Sequence, residues 1–247
     1  MADVKLMAHL VAGYPDLEQS LSAAQALARG GADYLEVQFP FSDPTADGPA
    51  IERACQAALG AGFTVAAGFD LMRRLAKELS IPLFIMTYGS VATARGSGDF
   101  AKRAVDAGVR GVIVPDLPPD YDEGLFAAGR AAGLAVVPVI APGISEARLR
   151  MIASLEPEFI YTALRLGITG SETALDAATL GYLDSVAKLG AKIIAGFGVR
   201  SRAQMLALSG HVHAAAVGSH FLNRLHARGN ADAGETLAAA ARELSGK

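Results

Sequence analysis

Eight short apolar runs, each followed by a stretch with helical spacing, constrain this chain more than any other feature. The runs are Leu6–Ala12, Tyr34–Phe39, Pro82–Thr87, Gly111–Pro115, Ala135–Ile140, Phe159–Ala163, Lys192–Gly196 and Ala214–Val217. They are nearly continuous in hydrophobic residues, as parallel strands covered on both faces must be. Between them, residues 17–32, 98–109, 145–155 and 174–191 carry apolar side chains at helical intervals, and Ser145 stands where an N-cap belongs. Eight strand–helix units in 247 residues predict a (β/α)8 TIM barrel. No Pro/Ser-rich linker or charge block divides the chain, so residues 1–247 are expected to form one domain. An open doubly wound sheet is the alternative, and it lacks its glycine-rich fingerprint after the first strand.

The bulk numbers narrow the function. With 51% hydrophobic and 19% charged residues and a net charge of -3, the chain offers no electrostatic footprint for nucleic acid or an anionic membrane. The single cysteine, Cys55, excludes an internal disulfide, and the apolar opening run is short and interrupted by His9. A cytoplasmic protein is the expectation.

The interval between the second and third strands is the longest, and its extra length is "PFSDPTADGPAIERACQAALGAGFT". Inserted length at the C-terminal end of a barrel strand usually carries function. Just before it stands Glu36, in the strand "YLEVQF". Alternation sends Glu36 and Gln38 to one face and Leu35 and Val37 to the other. The outer face meets the helices and must be apolar, so Glu36 points into the barrel near its upper rim. Apolar surroundings disfavour the charged form of a carboxyl group, a condition that suits a general acid/base; a structural Glu with a hydrogen-bonded partner is the alternative. Asp47, in "TADGP", is a second candidate, although Asp-Gly is also ordinary turn chemistry, and Asp43 reads as a turn residue.

Glycines recur at three late strand ends, in "LGITGSE", "GFGVRS" and "VGSHF". Together they suit backbone amides turned toward an anion, so a phosphorylated ligand is expected. His211 and His213 fall at a strand start, away from chemistry, and a metal site there is not expected. No lysine lies inside a strand or at its C-terminal end, which argues against a Schiff base. Carboxylate acid–base chemistry on a phosphate-bearing substrate remains.

The stretch "LEVQFPFSDPTADGPAI" (35–51) closely resembles the signature of the tryptophan synthase alpha subunit family. The likeness continues in order through "AGYPD", "FIMTY", "VPDLP", "GITG", "GFGV" and "VGS", nearly the whole chain. It implies cleavage of indole-3-glycerol phosphate to indole and glyceraldehyde 3-phosphate, with no metal or organic cofactor in this chain. Indole would pass to a PLP-dependent beta subunit in a heterotetramer. The resemblance makes Glu36 the catalytic acid/base and Asp47 the second catalytic carboxylate. Tyr161 would line the substrate site, Gly170, Phe197, Gly198, Gly218 and Ser219 would surround the phosphate, and Thr169 would position Asp47 from a closing loop. Gln38 stands where the family usually has glycine, His9 where it has an aromatic residue, and Ser90 where it has asparagine. Two alternatives stay open: a subunit whose main work is activating a beta partner, and a lyase for a different phosphorylated aldol.

Overall fold

Most of the apolar runs are buried on both faces, and that double burial makes the runs strands of a closed sheet. The computed structural model describes residues 4–164, 175–196, 198–228 and 233–247. The first strands are β1 (Lys5–Val11), β2 (Tyr34–Gln38), β3 (Leu83–Met86) and β4 (Gly111–Ile113). They are followed by β5 (Ala135–Val137), β6 (Val139–Ile140), β7 (Phe159–Ala163), β8 (Lys192–Gly196) and β9 (Ala214–Val217). Neighbours pair in parallel in the order β5-β4-β3-β2-β1-β9-β8-β7-β6.

Where eight strands are expected, the described residues form nine, because the run 135–140 is split at Pro138. Proline has no N–H with which to continue a ladder. The two halves divide the pairing: β5 pairs with β4 and β6 with β7. The Pro138 carbonyl still accepts from the Tyr161 N–H at 2.9 Å. One interrupted strand thus fastens the ring.

The helices are α1 (Leu17–Arg29), α2 (Pro49–Gly60), α3 (Val65–Glu78), α4 (Gly89–Thr93), α5 (Ser97–Asp106) and α6 (Leu125–Ala132). They continue with α7 (Glu146–Ser154), α8 (Ala177–Ala187), α9 (Arg202–Ala207), α10 (Ser219–Arg228) and α11 (Ala233–Ser245). Local chemistry sets their starts. Asp16, Thr64, Ser145, Asp176 and Ser201 each accept, through the side chain, from a backbone N–H in the first turn of the helix that follows. The extra length after β2 is largely helical. Pro49 opens α2, whose Ile51, Ala54, Cys55 and Ala58 pack with Val11 of β1 and Leu222 of α10. Only residues 39–48 remain as the loop above Glu36.

Alternation divides the core in two. Leu6, Ala8, Leu10, Leu35, Val37 and Ile85 point out to the helices. Met7, Tyr34, Phe84, Phe159, Ile194 and Ala214 fill the lower barrel. There Tyr34, Phe84 and Phe159 meet edge to face at centroid distances of 5.9, 6.2 and 5.3 Å. The Tyr34 hydroxyl bonds to His213 Nε2 at 2.8 Å, so His213 belongs to the barrel floor as its sequence position implies.

Candidate active site

Two residues above the aromatic floor the interior becomes polar. The β1–β2 register sets His9 opposite Glu36 and Val11 opposite Gln38. Glu36 points inward and is 3% exposed, as alternation predicts. Its Oε2 lies 3.2 Å from His9 Nδ1. Asp47 reaches the same space from the loop after β2, where a turn with its N–H on Pro44 O at 2.9 Å brings it over the barrel.

Asp47 is held by one oxygen. Gln38 Nε2 donates to Oδ2 at 2.8 Å and the Tyr88 hydroxyl donates to it at 2.9 Å. The same hydroxyl accepts from the Ala46 N–H at 3.1 Å, and the Tyr88 ring stacks on Phe41. Tyr88, just past β3, therefore fixes both the loop and its carboxylate. Gln38 fills the room between Asp47 and the buried thiol of Cys55, whose Sγ is 3.4 Å from Nε2.

These groups line a cavity of about 240 Å³. β1, β2 and the loop after β2 supply His9, Glu36 and Asp47 to its wall, while Met86, Ile113 and Val139 make an apolar side. Tyr161 enters from β7 with its hydroxyl against Gly196, where a Cβ would come within 2.2 Å of that oxygen. Beyond β8 and β9 the wall is Gly198, Gly218 and Ser219. Gly198 has φ +103°, open to glycine and strained for other residues. Ser219 begins α10, and the first amides of a helix have no intrahelical acceptor, which suits an anion. Thr169, Gly170 and Phe197 lie outside the described residues.

The sequence pattern did not single out Arg200, His220 and Arg224, which line the same wall. They come from the segment after β8 and from one face of α10, and their meeting depends on the β8–β9 pairing. Arg224 donates to the His220 carbonyl at 3.2 Å. Burial first, then the charges of Arg224 and Arg200, push His220 down to about 4, so its ring is neutral at physiological pH. The anion wall therefore carries positive charge from guanidinium groups in addition to its amides.

The carboxylate wall titrates differently. Burial raises Asp47, against the pull of His9's charge and of the hydrogen bonds from Gln38 and Tyr88. Burial is also the largest influence on His9 and lowers it, but Glu36's charge and hydrogen bond, with Asp47's charge, outweigh it and leave the imidazole raised. Tyr161 is pushed well up by burial and then by the charges of Glu36 and Asp47, so it stays a neutral phenol. A buried carboxyl with an imidazole neighbour, a second carboxyl and an anion cradle share one cavity. Such a set can move a proton between neighbouring atoms of a bound phosphate ester.

Comparison with known proteins gives a consistent picture. The family model described as "Tryptophan synthase alpha chain" matches residues 2–246. The alpha chain of Helicobacter hepaticus is 41% identical over 225 residues, covering 88% of this chain and 84% of its own. That of Methanosarcina acetivorans is 38% identical over 240 residues, covering 97% and 86%. Among solved structures, the tryptophan synthase complex of Pyrococcus furiosus superposes with a TM-score of 0.89 at 28% identity, covering 99% of each chain. Tryptophan synthase of Mycobacterium tuberculosis gives 0.89 at 31%, covering 99% and 92%.

Proposed function

This chain belongs to the tryptophan synthase alpha chain family, and from that premise we propose how its cavity splits indole-3-glycerol phosphate into indole and glyceraldehyde 3-phosphate. The chain is a carbon–carbon lyase. The reaction moves one proton from the glycerol hydroxyl next to the ring to ring carbon C3 and breaks the bond between C3 and the carbon that bears this hydroxyl. Glu36 gives a proton to C3, which turns the ring into an electron sink. The carbon–carbon bond then breaks, its electron pair returns to the ring, and the adjacent hydroxyl becomes the aldehyde. The proton that leaves this hydroxyl returns to Glu36, so the carboxyl ends as it began.

Asp47 presents the oxygen not engaged by Gln38 and Tyr88 to the ring N–H and stabilises positive charge there while C3 is protonated. Tyr161 lines the ring pocket. Gly198, Gly218 and Ser219 hold the phosphate with backbone amides and a hydroxyl; Gly170 and Phe197 join them, and Thr169 positions Asp47, on the strength of the family resemblance. The observation that carries this reading is the buried, inward Glu36 sharing a cavity with Asp47 and an amide-lined wall.

Replacing Glu36 with Gln keeps shape and removes the transferable proton. Indole release should fall by at least about 10²–10⁴-fold, while affinity for inorganic phosphate or glycerol 3-phosphate and the far-UV circular dichroism stay unchanged. Turnover like that of the wild type would refute the assignment.

Solved relatives include an alpha2beta2 complex from Pyrococcus furiosus. This chain likewise pairs with a PLP-dependent beta subunit that receives its indole. Turnover measured with and without such a subunit separates a free lyase from one that needs its partner. Among the described residues no single helix is long and apolar enough to cross a membrane. We place the enzyme in the cytoplasm, where the buried free thiol of Cys55 stays reduced.

A further inference from the structure

His9 is a buried ionisable side chain on the inner wall of the barrel, where it borders the cavity. Its side chain and that of Glu36 are 6% and 4% exposed, and the two strands hold them directly opposite each other. On its other flank the ring lies against Gly218, where a Cβ would come within 3.1 Å of His9 Cδ2. The imidazole is thus wedged between a carboxyl and a bare backbone, with one ring nitrogen on Glu36 Oε2 and Nε2 buried without a hydrogen-bond partner among the described residues. A buried polar ring left half satisfied costs stability, so its retention points to work done through the satisfied side.

We propose that His9 is a positioning residue for Glu36: Nδ1–H donates to Oε2, fixes the carboxyl rotamer and leaves Oε1 to meet the substrate. The proposal rests on Glu36 being the proton carrier. A hydrogen-bond donor at this distance favours the carboxylate that forms when Glu36 gives its proton to C3, so His9 strengthens Glu36 as an acid in the bond-breaking sequence. When the hydroxyl proton returns, Glu36 is again a neutral carboxyl and His9 has gained and lost nothing.

The neighbourhood raises His9 above its ordinary value. Glu36 on β2 and Asp47 on the following loop supply negative charge and leave it raised against the pull of burial. Tyr88 past β3 and Tyr161 on β7 are raised phenols, and the Cys55 thiol on α2 is pushed up to about 12, so none of them adds charge at neutral pH. On the far wall His220 is neutral, while Arg200 and Arg224 are positive.

His9→Phe and His9→Asn test the idea, the second keeping a donor near the Nδ1 position but no charge. In His9→Phe, kcat for indole release should drop roughly 10- to 100-fold, the scale for losing one hydrogen bond to a charged group. KM should stay within about threefold, since the phosphate wall is untouched. His9→Asn should recover part of the kcat, and in both variants the alkaline limb of the kcat/KM pH profile should move, because the donor that faces Glu36 is changed. Wild-type kcat and an unchanged profile in His9→Asn and His9→Phe would overturn the proposal. NMR titration of the His9 ring adds a readout independent of turnover and of how well the variants fold. In Glu36→Gln its pKa should fall, and an unmoved titration also overturns the pair. Full turnover in Glu36→Gln would instead remove the assignment of Glu36, whatever His9 does.

Discussion

Met7 and His9 point the same way on β1, Tyr34 and Glu36 on β2, and Phe159 and Tyr161 on β7. The first of each pair lies in the packed floor of the barrel, and the second borders the cavity. The strands, their twist and their register are shared, so backbone geometry does not distinguish the two layers. The floor is close-packed aromatic and aliphatic surface, and its Tyr34 hydroxyl is met by His213. The upper layer buries a carboxylate, an imidazole and a carboxamide, each of which loses hydration and regains it only in part. Among the described residues, Gln38 Oε1 and His9 Nε2 are buried without partners. One layer holds the barrel together, and the other is tolerated because the first does.

Substitutions in the two layers should therefore separate stability from turnover. The largest effect is Glu36→Gln, at least two orders of magnitude in indole release, with a thermal midpoint equal to or above that of the wild type. Phe159→Ala should do the reverse. It removes a ring from the floor trio and should lower unfolding free energy by about 3–5 kcal/mol, read by urea titration, with kcat/KM of the folded fraction preserved. A stable Phe159→Ala, or a Glu36→Gln that unfolds, would erase the distinction.

Gly196→Ala probes the seam between the layers. Its Cβ would lie 2.2 Å from the Tyr161 hydroxyl, so the ring must shift into the cavity. The expected cost is about 1–3 kcal/mol in stability, together with weaker substrate binding. Tyr88→Phe removes one of two donors to Asp47 Oδ2 and the acceptor of the Ala46 N–H. A loss of about 1.5–3 kcal/mol in transition-state stabilisation is expected, read as kcat/KM.

The smallest effects distinguish the cavity's two histidines by pH. His9 is raised in the folded chain, so its contribution is fully present below the unfolded value near 6.5 and is lost as pH rises through the folded one. His220 is lowered to about 4, so stability is lost as pH falls from about 6.5 toward that value. Its ring is partly exposed, and solvent keeps the effect small. Chemical denaturation from pH 4 to 9 on His9→Phe and His220→Gln should flatten opposite ends of the stability curve.

The barrel, its inward carboxylate and the loop acid were legible because strand alternation and the sense of βα connections are local properties of the chain. Glu36 needed only its neighbours Leu35 and Val37 to be assigned inward. The division at Pro138 was visible in "AVVPVI", but its consequence, one run serving two ladders, depends on what pairs on either side. The helix α2 was hidden by the prolines and aspartates before it, which read as loop until Pro49 is seen as a first helical residue. The clasp of Asp47 by Gln38 and Tyr88 joins three chain segments, and the opposition of His9 and Glu36 is a fact of register. Periodicity gives the face on which a residue lies; only pairing gives its partner.

The break at Pro138 has a mechanical sequel. β6 has two residues, and Val139, the first of them, borders the cavity. A hoop whose clasp is this short opens there before it opens elsewhere. Amide exchange at Val139 and Ile140 should therefore outrun that of β1 and β2, and the enzyme's breathing is localised to the wall facing away from its acids.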